Sequence, residues 1–323
     1  MMTMPRHLVL PALILLTGHA AAAPLIYVSS EKDNALTLVD ATTLTVQSTL
    51  ATCKRPRHMQ LTADGKRLFV ACGESHAADM IDVATRQSVG RLPLGDDPEA
   101  FDISADGKTL FASNEDEGAL SFIDIASGKK RASVPVGKEP EGVKVSPDGK
   151  TVFVTSEVAS MVHAIDIATA KVIKNIKVGK RPRRMAITAD GAELWVTNEL
   201  DASISIVSMK DYSVLHTLRF EVPGVRAADI TPVGITMTHD GQRAYVGLGR
   251  ANHVAFVDVR TRTVTQLVLA GKRAWNVSLD KAEARLFVVN GLSDDMTVFD
   301  VATAKALKTI PVGRVPYQAV VVD

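Results

Sequence analysis

Long apolar runs are almost missing from this chain. One exists, LVLPALILL, within the first 23 residues, after Arg6 and His7 and before the small residues GHAAAA. It is too short to span a bilayer. A basic start, a short apolar centre and a small-residue end mark a secretory signal peptide, so residues 1–23 are read as one, with cleavage between Gly18 and Pro24. Residues 24–323 are then expected to form a soluble, exported, periplasmic protein without a membrane span. Net charge is also missing. The formal +1 falls to 0 when Arg6 leaves with the peptide, so no basic field argues for nucleic acid or an anionic membrane. H-E-x-x-H, G-x-S-x-G and P-loop patterns are absent, so zinc metalloprotease, nucleophile-elbow serine hydrolase and P-loop nucleotide chemistries have no motif here. His163, His216, His239 and His253 are scattered and read as surface or strand residues, and the methionines as core filler.

What the chain has is Val, Ile and Thr in short runs, which favours strands. It also repeats itself. KRPRHMQLTADG at 54–65 returns as KRPRRMAITADG at 180–191, and the shift of 126 is three times 42. Prolines stand at 56, 98, 140, 182, 232 and 316, with Ala274 in the remaining slot. An Asp-Gly hairpin signal, an aromatic residue and an aspartate recur downstream in the same frame. Each unit reads as four strands, as in GVKVS, TVFVTS, MVHAIDI and KVIKNIKV. A lone four-stranded sheet cannot bury both faces, but sheets stacked around an axis can. The chain opens with second, third and fourth strands and ends on a first strand, PYQAVVVD. The expected fold is an all-β, seven-bladed β-propeller of four antiparallel strands per blade, closed by the C-terminal strand completing the N-terminal blade.

The stretch EPEGVKVSPDGKTVFVTSE resembles the repeat unit of the YVTN family of propellers, and the likeness runs over residues 25–323. TPVGITMTHDG and AWNVSLDKAEARLFVVNGLSDD resemble, more narrowly, periplasmic propellers associated with pyrroloquinoline quinone (PQQ)-dependent alcohol catabolism. That resemblance implies a non-catalytic accessory protein. It would bind a small anionic ligand, PQQ included, or dock a PQQ-dependent dehydrogenase or cytochrome c. No cofactor is required, and a monomer is expected.

Function in a propeller gathers around the central channel. The two residues after each proline slot open the innermost strands there. This gives Arg57, His58, Glu99, Glu141, Arg183, Arg184, Trp275, Asn276 and Tyr317 as candidate ligand contacts, with Arg273 and Arg314 just before the slot. Guanidinium groups clamp carboxylates, and aromatic faces stack on flat ligands. The plain alternative is a solvated rim of Arg–Glu pairs. The loops after each second strand add Glu31, Glu115, Glu157 and Glu199, a possible oxygen ring for calcium, though no metal is assigned. An eight-residue insertion around RFEVPGVRAADITP could lid the mouth with Arg226 and Asp229 pointing inward, or project as a docking site.

Cys53 and Cys72 replace the repeat's usual residues on one face of one hairpin. They suggest a disulfide, with a His58/His76 metal site or free thiols as alternatives. Two further functions stand beside the accessory role. One is a docking platform without a small ligand. The other is a lactonase-like hydrolase using a cluster such as His58, Glu99 and Arg57 for acid–base chemistry.

Overall fold

The computed structural model describes residues 24–322, so the expected signal peptide lies outside the described residues. Seven four-stranded sheets follow one another around a ring, all antiparallel. Blade 1 is built from both ends of the chain, its innermost strand Pro316–Val322 pairing with Leu25–Ser30. Ring closure therefore occurs as the repeat count requires.

Strand burial follows position in the blade. In blade 4 the second strand, Thr151–Ser156, is buried throughout, because neighbouring blades cover both its faces. The outermost strand, Lys171–Lys177, buries only Ile176. The repeated aromatics Tyr27, Phe69, Phe111, Phe153, Trp195, Tyr245 and Phe287 all lie at 0–1% exposure, filling the gaps between blades. The repeated aspartate accepts backbone N–H groups in the turn that follows, as Asp166 Oδ1 does from Thr169 at 2.8 Å. That turn chemistry explains a conspicuous letter of the repeat without any ligand.

Cys53 and Cys72 form a disulfide with Cα atoms 5.8 Å apart. Neither sulfur is then free for a metal, so the Cys/His alternative falls. The bond closes a loop with a sequence separation of 19. Reduction, or the Cys53→Ser, Cys72→Ser double change, should cost about 3 kcal/mol. Urea unfolding with and without reductant measures this, and coincident midpoints would refute it.

The insertion is held down. Phe220, Val222 and Ile230 are buried among Ile204 and Ile206 of blade 5 and Val246 and Leu248 of blade 6. No helix among the described residues is long and apolar enough to cross a membrane.

Candidate functional site

Six of the seven innermost strands carry a register shift at the proline slot. In blade 2, Pro56 faces Cys72 while Met59 faces Val70, so one extra residue is fitted into the inner strand. The same shift recurs at Pro98/Phe101, Pro140/Val143, Pro182/Met185 and Ala274/Val277, and in blade 1 opposite Ser29/Ser30. A bulge of this kind re-aims side chains. Here it sends the two residues after the slot to different places.

The first of each pair, Arg57, Glu99, Glu141, Arg183, Trp275 and Tyr317, lines a cavity of about 300 Å³ at the channel mouth. The second lines a separate cavity of about 250 Å³ deeper in the channel, through His58, Ala100, Arg184, Asn276 and Gln318. Blade 4 has Gly142 at the second position. A Cβ there would meet the Arg183 carbonyl oxygen at 2.2 Å, so only glycine lets the inner strands of blades 4 and 5 close up. Between the cavities stands a septum. Arg184 donates from Nη2 to the Tyr317 hydroxyl, which donates to Glu141 Oε1 at 3.2 Å.

The mouth is a network of opposite charges. Arg57 pairs with the fully buried Glu99, and Arg183 with Glu157. Arg55 reaches Asp97 at 2.6 Å and Glu99 at 2.9 Å, and Arg181 reaches Glu157 at 2.8 Å and Glu199 at 3.0 Å. Arg55, Arg181 and Arg273 occupy the position before the slot with φ of 57°, 54° and 59°. Such left-handed backbone costs about 1–3 kcal/mol per residue. It turns each guanidinium to the mouth, where Arg55, Arg181 and Arg273 line the cavity.

The carboxyls differ sharply. Burial opposes the charge of Glu141, yet Arg183, Arg184 and Arg57 together pull it down to about 2. Burial pushes Glu157 up to about 8, with Glu141's charge reinforcing it and Arg183 and Arg181 opposing. Burial and Glu141 also raise Glu99 well above the ordinary range. The mouth thus sets a carboxylate held firmly ionised, Glu141, beside two, Glu157 and Glu99, whose ionisation burial opposes.

Several expectations need correcting. His58, Arg184 and Asn276 line the deeper cavity, whereas Arg57 and Glu99 line the mouth, so no single His/Glu/Arg cluster forms. Arg226 does not point inward: its side chain is 84% exposed and pairs with Asp229 three residues on. Arg314 lies outside the mouth lining, on Asp33, because it occupies the outer slot that Lys54 fills in blade 2, and Val315 takes the inner one. Trp275 and Tyr317 are not bare stacking platforms. Arg273 and Arg183 lie 4.0 and 5.3 Å from the Trp275 ring, and Arg57 and Arg184 lie 4.6 and 5.5 Å from that of Tyr317. Glu31, Glu115, Glu157 and Glu199 all line the mouth, but Glu31, Glu157 and Glu199 each lie against arginines. Among the described residues, Asp97, Glu99 and Glu115 come close enough to hold a metal ion, yet Arg55 already supplies positive charge there.

Arg55 and Arg181 are missing from the expected contacts, and the second-loop glutamates were expected there only as an oxygen ring for a cation. Their signal was present, since they occupy repeat slots adjoining those chosen.

Two family models match parts of the chain. The YNCE-like beta-propeller model matches residues 132–193, and the model of the 7-bladed beta-propeller lactonases matches 166–313. No curated protein matches it. Among solved structures, the periplasmic gluconolactonase PpgL of Pseudomonas aeruginosa is similar at TM-score 0.80 and 18% identity, over 93% of this chain and 99% of that one. Hydrazine synthase of Kuenenia stuttgartiensis is similar at TM-score 0.76 and 25% identity, over 87% and 93%. A putative 6-phosphogluconolactonase from Bacteroides uniformis gives 0.77 and 16%, over 93% and 100%. The chain is a seven-bladed β-propeller with lactonase-like neighbours.

Proposed function

We propose that the channel mouth is the active site of a lactonase-type hydrolase acting on a small, oxygen-rich lactone such as that of a sugar acid. The observation that carries this is the placing of two unlike carboxyls in one guanidinium-lined cavity: Glu157, buried against Arg183 and Arg181 and pushed by burial up to about 8, and the more loosely held Glu31. Lactone opening needs three things: a water delivered to the carbonyl, positive charge for the oxyanion, and a proton for the ring alkoxide. Guanidinium groups of the mouth provide the second and Glu157 the third. Glu31, held only loosely by Arg55 and Arg57 at 3.8 and 3.7 Å, is the carboxylate placed to take the proton of the attacking water. The ring C–O bond breaks, and a hydroxy acid leaves. Trp275 Nε1 is buried and finds no acceptor among the described residues, which suits a ligand oxygen at this wall. The disulfide fits export to an oxidising compartment, which supports reading the enzyme as periplasmic.

Proton release from glucono-δ-lactone and 6-phosphogluconolactone, followed by pH-stat, tests the reading. Glu157→Gln should lower kcat by about 10²–10⁴ and leave KM nearly unchanged. Wild-type activity should fall as pH rises through about 8, where the acid loses its proton. Hydrolysis no faster than the spontaneous rate at every pH would sink the proposal.

A second reading keeps the ligand and drops the reaction. Arg55, Arg57, Arg181, Arg183 and Arg273 around one cavity suit a polycarboxylate such as PQQ, on a protein that serves a PQQ-dependent dehydrogenase or cytochrome c. Its planar ligand would have to displace a guanidinium from Trp275. Calorimetric titration of residues 24–323 with PQQ, repeated on Arg183→Ala, separates this from hydrolysis. Saturable binding without turnover would favour it.

A further inference from the structure

The deeper cavity takes no part in the chemistry proposed for the mouth, yet it is built with charge. Its walls mix apolar side chains, Met59, Phe101 and Val277 among them, with polar and charged ones that include Arg184, Lys144 and His58. Arg184 is under-compensated. Its carboxylate partner, Glu141 at 3.2 Å, is shared with Arg183, also at 3.2 Å, and feels Arg57 as well. Burial lowers the pKa of Arg184, and Arg183 and Arg57 add to this against Glu141's opposing pull. Its Nη1 is buried and has no acceptor among the described residues.

Lys144 is also loosely matched. Its Nζ sits 3.5 Å from Asp102, the one acidic side chain of this lining. Asp102 is engaged elsewhere, Oδ1 accepting from Gln60 at 2.9 Å and Oδ2 from the Val145 backbone at 2.9 Å. The field reaches His58, where burial and then Arg184 and Lys144 push the imidazole down to about 3 and keep it neutral. A buried guanidinium nitrogen without an acceptor, on a side chain that lines the same cavity as an ammonium group, calls for an oxyanion.

We propose that the deeper cavity is a second anion site, distinct from the mouth, which binds a small carboxylate or phosphate between Arg184 and Lys144. The Tyr317–Glu141–Arg184 septum separates its occupant from the mouth, and Arg184, belonging to both septum and site, links them. The proposal does not rest on the mouth being an active site.

The test is a titration of the protein, with its histidine rings labelled, by inorganic phosphate and separately by gluconate. His58 signals are identified by their loss in His58→Asn. The expected result is a saturable shift of the His58 ring signals with at least one of the two anions. A phosphate-only response assigns the site to phosphate groups, and a gluconate-only response to carboxylates. Lys144→Met, a half-exposed position where the fold tolerates change, should weaken that response about tenfold or more. Arg273→Met, which alters only the mouth, should leave it unchanged. His58 signals that stay still with both anions, or that respond unaltered in Lys144→Met, would overturn the site. Loss of the response in Arg273→Met would overturn its independence from the mouth. None of these outcomes depends on turnover, so failure of the hydrolase reading is read separately, by pH-stat.

Discussion

Arg183→Ala is expected to lower the unfolding free energy by about 3–5 kcal/mol, the usual cost of removing one partner from a buried ionic network. Arg183 is 5% exposed and touches three carboxyls: Glu141 at 3.2 Å, Glu199 at 3.7 Å and Glu157 more closely still. Without it, Glu141 keeps its charge but loses one of its compensating guanidinium groups. The defect should depend on pH, and its sign can be derived. Glu157 already has a folded-state pKa raised to about 8. The stability linked to that raised value is complete below the ordinary carboxyl range and is lost as pH rises through about 8. Removing Arg183 takes away a group that opposes the rise, so the variant loses more than the wild type on the alkaline side. Urea unfolding at pH 6 and pH 9 should show the larger gap at pH 9. An equal gap at both would mean that Glu157 carries no part of the defect. Adding Glu141→Gln to Arg183→Ala should recover part of the loss, because the orphaned charge is gone.

Ending the chain at Val315 should remove roughly 4–7 kcal/mol, counting about 1.5–3 kcal/mol each for burying Tyr317 and Val322 and about 0.8 for the Ala319 methyl. The lost strand buries Tyr317 at 1%, Ala319 at 3% and Val322 at 4% exposure. It pairs along the whole of Leu25–Ser30, every residue of which is buried. Its removal exposes that strand as an open edge and breaks the septum at Tyr317. A loss of this size rivals the whole margin of about 5–15 kcal/mol of an ordinary domain. The truncated chain should show no cooperative melting by calorimetry, and a synthetic peptide of residues 316–323 should restore it. Melting within a few degrees of the intact chain would show that ring closure contributes little.

The fold was legible because the repeat is written in residues with fixed physical duties. The aromatic slot fills the gap between blades, the aspartate closes a turn, and the unfinished first blade demands its missing strand. The neighbourhood of the mouth was legible for the same reason. Residues one period apart face each other across blades, as Arg57 faces Glu99 and Arg55 faces Asp97, each 42 positions on. The alternation of a strand could not announce the bulge, since an extra residue changes pairing without changing composition. His58 and Arg184 were therefore grouped with their chain neighbours, although they line another cavity. Arg226 and Arg314 were misplaced by their chemistry. Arginine suits a mouth, but one lies on a clamped insertion satisfied by its own Asp229, and the other is one residue out of register. The upward push on Glu157 was not readable either, since it depends on burial and on Glu141 from the same blade, against arginines of the next.

The bulge has a consequence for how this protein can change over generations. Adjacent letters such as Arg183 and Arg184, or Trp275 and Asn276, serve separate rooms. A single point substitution can therefore retune what the entrance accepts and leave the interior as it was, or do the reverse. Five inner strands offer that choice, Gly142 closing it in blade 4, and the scaffold that holds them stays the same. A one-residue insertion or deletion at any of these slots would do the opposite, exchanging the contents of both rooms at once.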